Sequence, residues 1–122
     1  MPGNKVLIID DSKSEVALLQ SMLAGWKYEV ITASAGAAGL QKAEAELPNL
    51  ILLDIVMPEM DGFEVLGRLK STPKTSAIPI IMLTSQGEEA AVTRAIELGA
   101  VDYIVKPFTP NVLMEKIKKV VK

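Results

Sequence analysis

Three short runs in this chain, Val6-Leu7-Ile8-Ile9, Leu50-Ile51-Leu52-Leu53 and Ile80-Ile81-Met82-Leu83, are apolar at every position. A strand with one wet face alternates apolar and polar residues, so an unbroken apolar run calls for cover on both faces. With their β-branched neighbours these runs predict strands over residues 5–10, 49–54 and 78–83, and two more polar segments predict strands over 28–33 and 101–105. Between them, apolar residues recur at helical spacing: Val16, Leu19 and Leu23; Leu40, Ala43 and Leu47; Val65, Leu66 and Leu69; Ala91, Ala95 and Leu98; Leu113, Ile117 and Val120. Strands alternating with helices are the pattern of an α/β domain around a parallel sheet.

The helix ends carry their own signals. Ser12 with Glu15 reads as a capping box, Gly25 and Gly99 stand where helices should end, and Pro110 suits a first helical position. The expected architecture is (βα)5: a doubly wound, flavodoxin-like three-layer sandwich with five parallel strands. Short connections and right-handed crossovers favour the order 2-1-3-4-5, which sets the two polar strands at the edges and the three apolar ones inside. No repeat, low-complexity tract or linker composition interrupts the chain, so residues 1–122 are read as a single domain.

Composition narrows the chemistry. The chain has no cysteine and no histidine, which excludes thiol nucleophiles, disulfides, histidine-assisted hydrolysis and the usual zinc ligand sets. A formal charge of -2, from 13 basic and 15 acidic residues, gives no broad footprint for nucleic acid or membrane. The basic ending KIKKVVK reads as a solvated last helical turn that complements the helix dipole. With no apolar signal core and no apolar stretch of roughly 18 residues, a cytoplasmic protein is expected.

In an open parallel sheet, ligands bind beyond the carboxyl ends of the strands, so what the strands end in matters most. Here they end in Asp10-Asp11, Ala33-Ser34, Asp54, Thr84-Ser85 and Lys106. Of the five aspartates in the chain, three fall on the exits of the two neighbouring central strands. One such aspartate is ordinarily a cap or a strand terminator. Three together repel one another, and a hard divalent cation and the Lys106 ammonium are the natural compensators. With oxygen donors alone, Mg2+ is the expected metal, bound by Asp10, Asp11 and Asp54. A carboxylate can itself be the nucleophile toward a phosphoryl group when a metal and a cation neutralise the phosphoryl oxygens. Asp54 is the candidate nucleophile, with Thr84 supplying a hydroxyl and Lys106 a mobile charge.

The segments LIIDDS, LLDIVMPEMDG, IIMLTS and GAVDYIVKPF, spaced over essentially the whole chain, resemble the receiver domains of two-component response regulators. The resemblance implies that Asp54 accepts a phosphoryl group from the phosphohistidine of a sensor kinase or phosphotransfer protein. It also implies that Asp11, Asp54 and the backbone carbonyl of Val56 bind Mg2+ directly, with Asp10 acting mostly through water. Thr84 and Lys106 would contact phosphoryl oxygens, along with backbone N–H groups near Ile55 and Ser85, and Lys106-Pro107 is a candidate cis peptide bond. Switching would couple Thr84 to Tyr103 and reshape the surface of the fourth helix, fifth strand and fifth helix for a downstream protein. Such a chain is a signalling switch that catalyses its own phosphorylation and dephosphorylation, without being an enzyme for a separate substrate.

Two positions beside the expected site bear on the lifetime of the phosphorylated state. The Val56 side chain cannot orient an attacking water, whereas that of Gln86 could, so slow to moderate self-dephosphorylation is expected. Pro58, Asp61 and Gly62 read as loop-shaping residues with Asp61 as a helix cap, and Asp102 reads as a turn or strand-edge residue. A haloacid-dehalogenase-type phosphohydrolase would need an aspartate where Val56 stands. A nucleotide-binding module would need glycines in DDSKSE after the first strand. A receiver-like scaffold independent of phosphorylation would be expected to have lost part of the Asp, Thr and Lys set, which is complete here. The chain ends just after the fifth helical segment, consistent with either a stand-alone regulator or an excised receiver.

Overall fold

Strands and helices alternate along the chain: β1 (Lys5–Ile9), α1 (Lys13–Gly25), β2 (Glu29–Ala33), α2 (Gly36–Glu46), β3 (Leu50–Asp54), α3 (Gly62–Ser71), β4 (Ile80–Ser85), α4 (Glu89–Glu97), β5 (Asp102–Lys106) and α5 (Pro110–Val120). They come from a computed structural model, which describes residues 4–85 and 89–121. The strands form one parallel sheet in the order β2-β1-β3-β4-β5, as the burial argument anticipates.

Every residue of β3 is buried, whereas β2 and β5 each bury only one of their five. The pleat divides the inner strands between two cores. Leu7, Ile9, Ile51, Leu53, Ile80 and Met82 face α2, α3 and α4, while Val6, Ile8, Leu50, Leu52, Ile81 and Leu83 face α1 and α5. At about 25 cal/mol per Å² of apolar surface, each fully buried Leu or Ile contributes roughly 1.5–3 kcal/mol before entropy is counted. The continuous apolar runs therefore contribute a large share of the buried core.

Several local expectations need revision. β4 starts at Ile80 rather than residue 78, because Pro79 has no N–H to give the ladder; its carbonyl still accepts from Ile51. β4 and β5 run on to Ser85 and Lys106, which pair with each other, so Thr84 and Lys106 sit on the rigid sheet. Leu47, expected to face the core, is about half exposed, because it caps α2 in the left-handed conformation at φ 47°. The face of α2 that does pack is built from Gly36, Gly39 and Ala43. A Cβ on Gly39 would come within 2.6 Å of Ile9, so small residues let this helix lie close to β1.

Gly25 is the last residue of α1, and the left-handed residue that turns the chain is Lys27, at φ 69°. Gly99, at φ 113°, does end its helix as expected. Pro110 stands at the start of α5 behind a Thr109 cap, and Asp61 caps α3 by accepting from the Glu64 N–H at 3.0 Å. Ser12 caps α1, accepting from the Glu15 N–H at 3.4 Å, but the other half of the capping box is absent. The Ser12 N–H donates instead to Asp10 Oδ1 at 2.9 Å, which leaves the Glu15 carboxylate for another partner.

Candidate functional site

The two-residue pleat fixes which strand-end side chains meet. Ile8, Leu52, Leu83 and Ile104 lie in the core beneath α1 and α5, so Asp10, Asp54, Ser85 and Lys106, each two residues further on, emerge on that side. Thr84 follows Met82 onto the opposite face, toward α2, α3 and α4. Tyr103 is the register partner of Met82 and packs against that same core, so Thr84 and Tyr103 share a face. An open cavity of about 260 Å³ lies at the strand ends, lined by Asp11, Ser12, Glu15, Asp54, Ile55, Val56, Leu83, Thr84, Ser85 and Lys106.

Polar burial concentrates at this end of the sheet. Among the described residues, the buried polar side chains are Asp10, Asp54, Thr75 and Thr84. Thr75 is satisfied by donating to the Leu69 carbonyl at 2.6 Å, a purely structural bond. The other three mark the strand exits. Among the described residues, the Thr84 hydroxyl makes one long contact, 3.4 Å, to the Ser85 carbonyl. Asp10 Oδ2 is buried with no hydrogen-bond partner among the described residues and has Lys106 Nζ at 3.9 Å.

Lys106 is the hub of the cluster. Its ammonium donates to Asp54 Oδ1 at 3.1 Å and forms an ion pair with Glu15. Burial, and then the neighbouring Asp54, push the Asp10 carboxyl up to about 7, against the hydrogen bond from Ser12. Burial likewise raises Asp54, with Lys106 opposing it. Burial pulls Lys106 down, but its pairing with Glu15 and Asp54 outweighs this and holds the ammonium above its ordinary value. The site thus carries more negative charge than one lysine can balance.

Carboxylate oxygens of Asp10, Asp11 and Asp54 lie within 4.8 Å of one another. A hard cation fits this set: the donors are all oxygen, Asp11 is exposed enough to keep water in the shell, and the unpartnered Asp10 Oδ2 lacks a positive partner at bonding distance. Val56 lines the cavity and is 70% exposed. Gln86 lies outside the described residues. Tyr103 is half-buried, with Lys116 Nζ 4.8 Å from its ring centroid; the same ammonium bonds Asp102 Oδ1 at 2.8 Å. Asp102 is thereby a strand-edge partner of α5. The Lys106-Pro107 bond is cis.

Comparison with known proteins gives this site its family. The family described as "Response regulator receiver domain" matches residues 6–118. The chain belongs to the response regulator receiver domain family. Within it, the chain is 43% identical over 120 residues to the alkaline phosphatase synthesis transcriptional regulatory protein PhoP of Bacillus subtilis, a match that takes in 98% of this chain and 49% of that protein. This receiver spans about half the length of that curated relative. The solved structure of the chemotaxis protein CheY4 of Vibrio cholerae superposes with a TM-score of 0.89 at 34% identity, covering 95% of this chain and 97% of that one. A CheY-like receiver domain protein of Methanospirillum hungatei gives 0.88 at 34% identity, covering 95% and 91%.

As a receiver, the chain is a component of two-component, phosphorylation-dependent signalling. Among its described residues no helix is long and apolar enough to cross a membrane. Two features of the site escaped the sequence reading. Glu15 reads from the sequence as part of a cap, yet its place four residues after Asp11 brings it beside the cluster. Gly62 reads from the sequence as a turn residue, but its N–H donates to the Ile55 carbonyl at 2.8 Å and its Cα abuts the end of β3. A Cβ there would lie 2.3 Å from the Asp54 carbonyl oxygen.

Proposed function

We propose that this receiver accepts a phosphoryl group on Asp54 from the phosphohistidine of a sensor kinase or phosphotransfer protein, and passes the signal to a downstream protein through its α4-β5-α5 face. The observation that carries this reading is the placement of a half-compensated Asp54 carboxylate, with Lys106 at 3.1 Å, on the rim of a cavity lined by Thr84 and Asp11.

Each residue has a role that its surroundings support. Asp54 attacks phosphorus with a carboxylate oxygen, the P–N bond to the donor histidine breaks, and the imidazole leaves. Lys106 turns its ammonium to a phosphoryl oxygen, and the Thr84 hydroxyl, which among the described residues makes only a 3.4 Å contact to the Ser85 carbonyl, donates to another. Asp10, Asp11, Asp54 and the Val56 carbonyl would hold Mg2+, which when bound neutralises phosphoryl charge and lowers the barrier to anionic attack. The domain acts as its own catalyst, and hydrolysis of the acyl phosphate resets it.

The switch follows from a shared face. As Thr84 moves toward the phosphoryl group it vacates space beside Tyr103, whose ring turns inward and leaves Lys116. Moving such an equilibrium from about 1:99 to 99:1 requires roughly 5.5 kcal/mol of differential stabilisation, within reach of a few charge-assisted hydrogen bonds.

Borohydride trapping of the acyl phosphate, followed by peptide mapping, tests the assignment. The reduced residue is expected at Asp54; reduction at another carboxylate, or none at all after phosphoryl uptake, removes it.

A further inference from the structure

Glu15 stands on the first turn of α1 and reaches across the site mouth to Lys106. Its Oε1 is buried, and the Lys106 ammonium is the partner that compensates its charge. It is not held by the helix cap, because the Ser12 N–H is already taken by Asp10. Its side chain is 39% exposed, and it also borders a neighbouring groove lined by Leu18, Pro107 and Phe108, so it has room to leave.

We propose that Glu15 is a positioning residue for Lys106 and a brake on phosphoryl uptake: it holds the ammonium in the resting state, and transfer to Asp54 requires Lys106 to exchange Glu15 for a phosphoryl oxygen. The inference rests on the phosphoacceptor reading above. A lysine ammonium has three donor hydrogens, and in the resting state Asp54 and Glu15 each engage it while Asp10 Oδ2 lies 3.9 Å away. An arriving phosphoryl group therefore meets a cation already committed to carboxylates, with the Glu15 charge beside it. That charge has opposite effects on the two ligands of the site. It favours a divalent cation at the neighbouring aspartates and opposes an anion on Asp54.

This opposition supplies the test. Mg2+ affinity is measured by calorimetric titration of the donor-free protein, and phosphoryl uptake from acetyl phosphate by intact mass at saturating Mg2+, in wild type, Glu15→Gln and Glu15→Ala. Both variants are expected to bind Mg2+ more weakly and to take up phosphoryl more quickly, each by about threefold or more. A structural role alone would lower both quantities together. Both falling together, or neither changing while wild type is phosphorylated, overturns the proposal. Wild type that takes up no phosphoryl group overturns the reading beneath it, and a Glu15→Gln variant with unaltered Mg2+ affinity then counts against the Glu15 role as well.

Discussion

The Lys106 ammonium donates a 3.1 Å hydrogen bond to Asp54 Oδ1, tying the end of β5 to the end of β3 across the exit of β4. Replacing Lys106 with Met keeps the apolar stem and removes the only cation close to Asp54, Asp10 and Glu15 among the described residues. Without Mg2+, Lys106→Met should lose on the order of 2 kcal/mol of stability at pH 7.5, because buried carboxylates are left to face one another. Added Mg2+ should recover most of that loss. Urea unfolding with and without the ion checks this; an unchanged midpoint in Mg2+-free buffer contradicts it.

Asp10 gives the pH dependence a sign. Its folded carboxyl titrates near 7, far above the ordinary 3.8, because of burial and the adjacent Asp54. A group that holds its proton more tightly when folded stabilises the protein fully below the unfolded value, and that contribution is lost as pH rises through about 7. Asp10→Asn imitates the neutral form. It should therefore raise the thermal midpoint of the Mg2+-free protein at pH 8, by an amount worth a few kcal/mol at most, and the gain should shrink toward zero near pH 4. A constant difference across that range would contradict the burial argument.

Gly62 offers a test of packing behind the site. A methyl group there would press on the Asp54 carbonyl oxygen at 2.3 Å and on Ile55 Cα at 2.7 Å, both backbone atoms with little freedom to yield. Gly62→Ala is expected to cost about 1–3 kcal/mol and to slow phosphoryl uptake, since β3 or the start of α3 must shift. Gly67 has open space around it, so Gly67→Ala on the same helix is the control and should be neutral or mildly stabilising. Equal effects at the two positions would contradict the account.

Val56 bears on how long the phosphoryl group lasts. Its exposed isopropyl group at the cavity mouth offers no hydrogen bond to an incoming water. Val56→Asn should shorten the lifetime of the phosphorylated protein severalfold, followed as loss of the added mass after the donor is removed. An unchanged lifetime would assign water positioning elsewhere.

Much of the architecture was legible because the strongest signals were redundant. The three apolar runs marked the inner strands, short right-handed crossovers ordered them, and the capping aspartate and proline marked where α3 and α5 begin. The aspartate cluster was legible because the ends of adjacent parallel strands share one rim. Features that depend on distances between elements were not. Glu15 satisfies a local motif on paper, yet Asp10 outcompetes it for the Ser12 N–H and Lys106 draws its carboxylate across the sheet. Leu47 fits a helical period, but the left-handed turn that ends α2 rotates it outward. Gly62 follows a turn-forming aspartate, and only the closeness of β3 reveals that its missing side chain matters.

The central claim is that Asp54 is the phosphoacceptor, and intact mass measurement after incubation with acetyl phosphate and Mg2+ tests it most directly. Wild type should gain the mass of one phosphoryl group, with little gain when Mg2+ is chelated, and Asp54→Ala should gain none. Wild type that binds Mg2+ and gains nothing, or an Asp54→Ala variant that gains the same mass, would contradict the account.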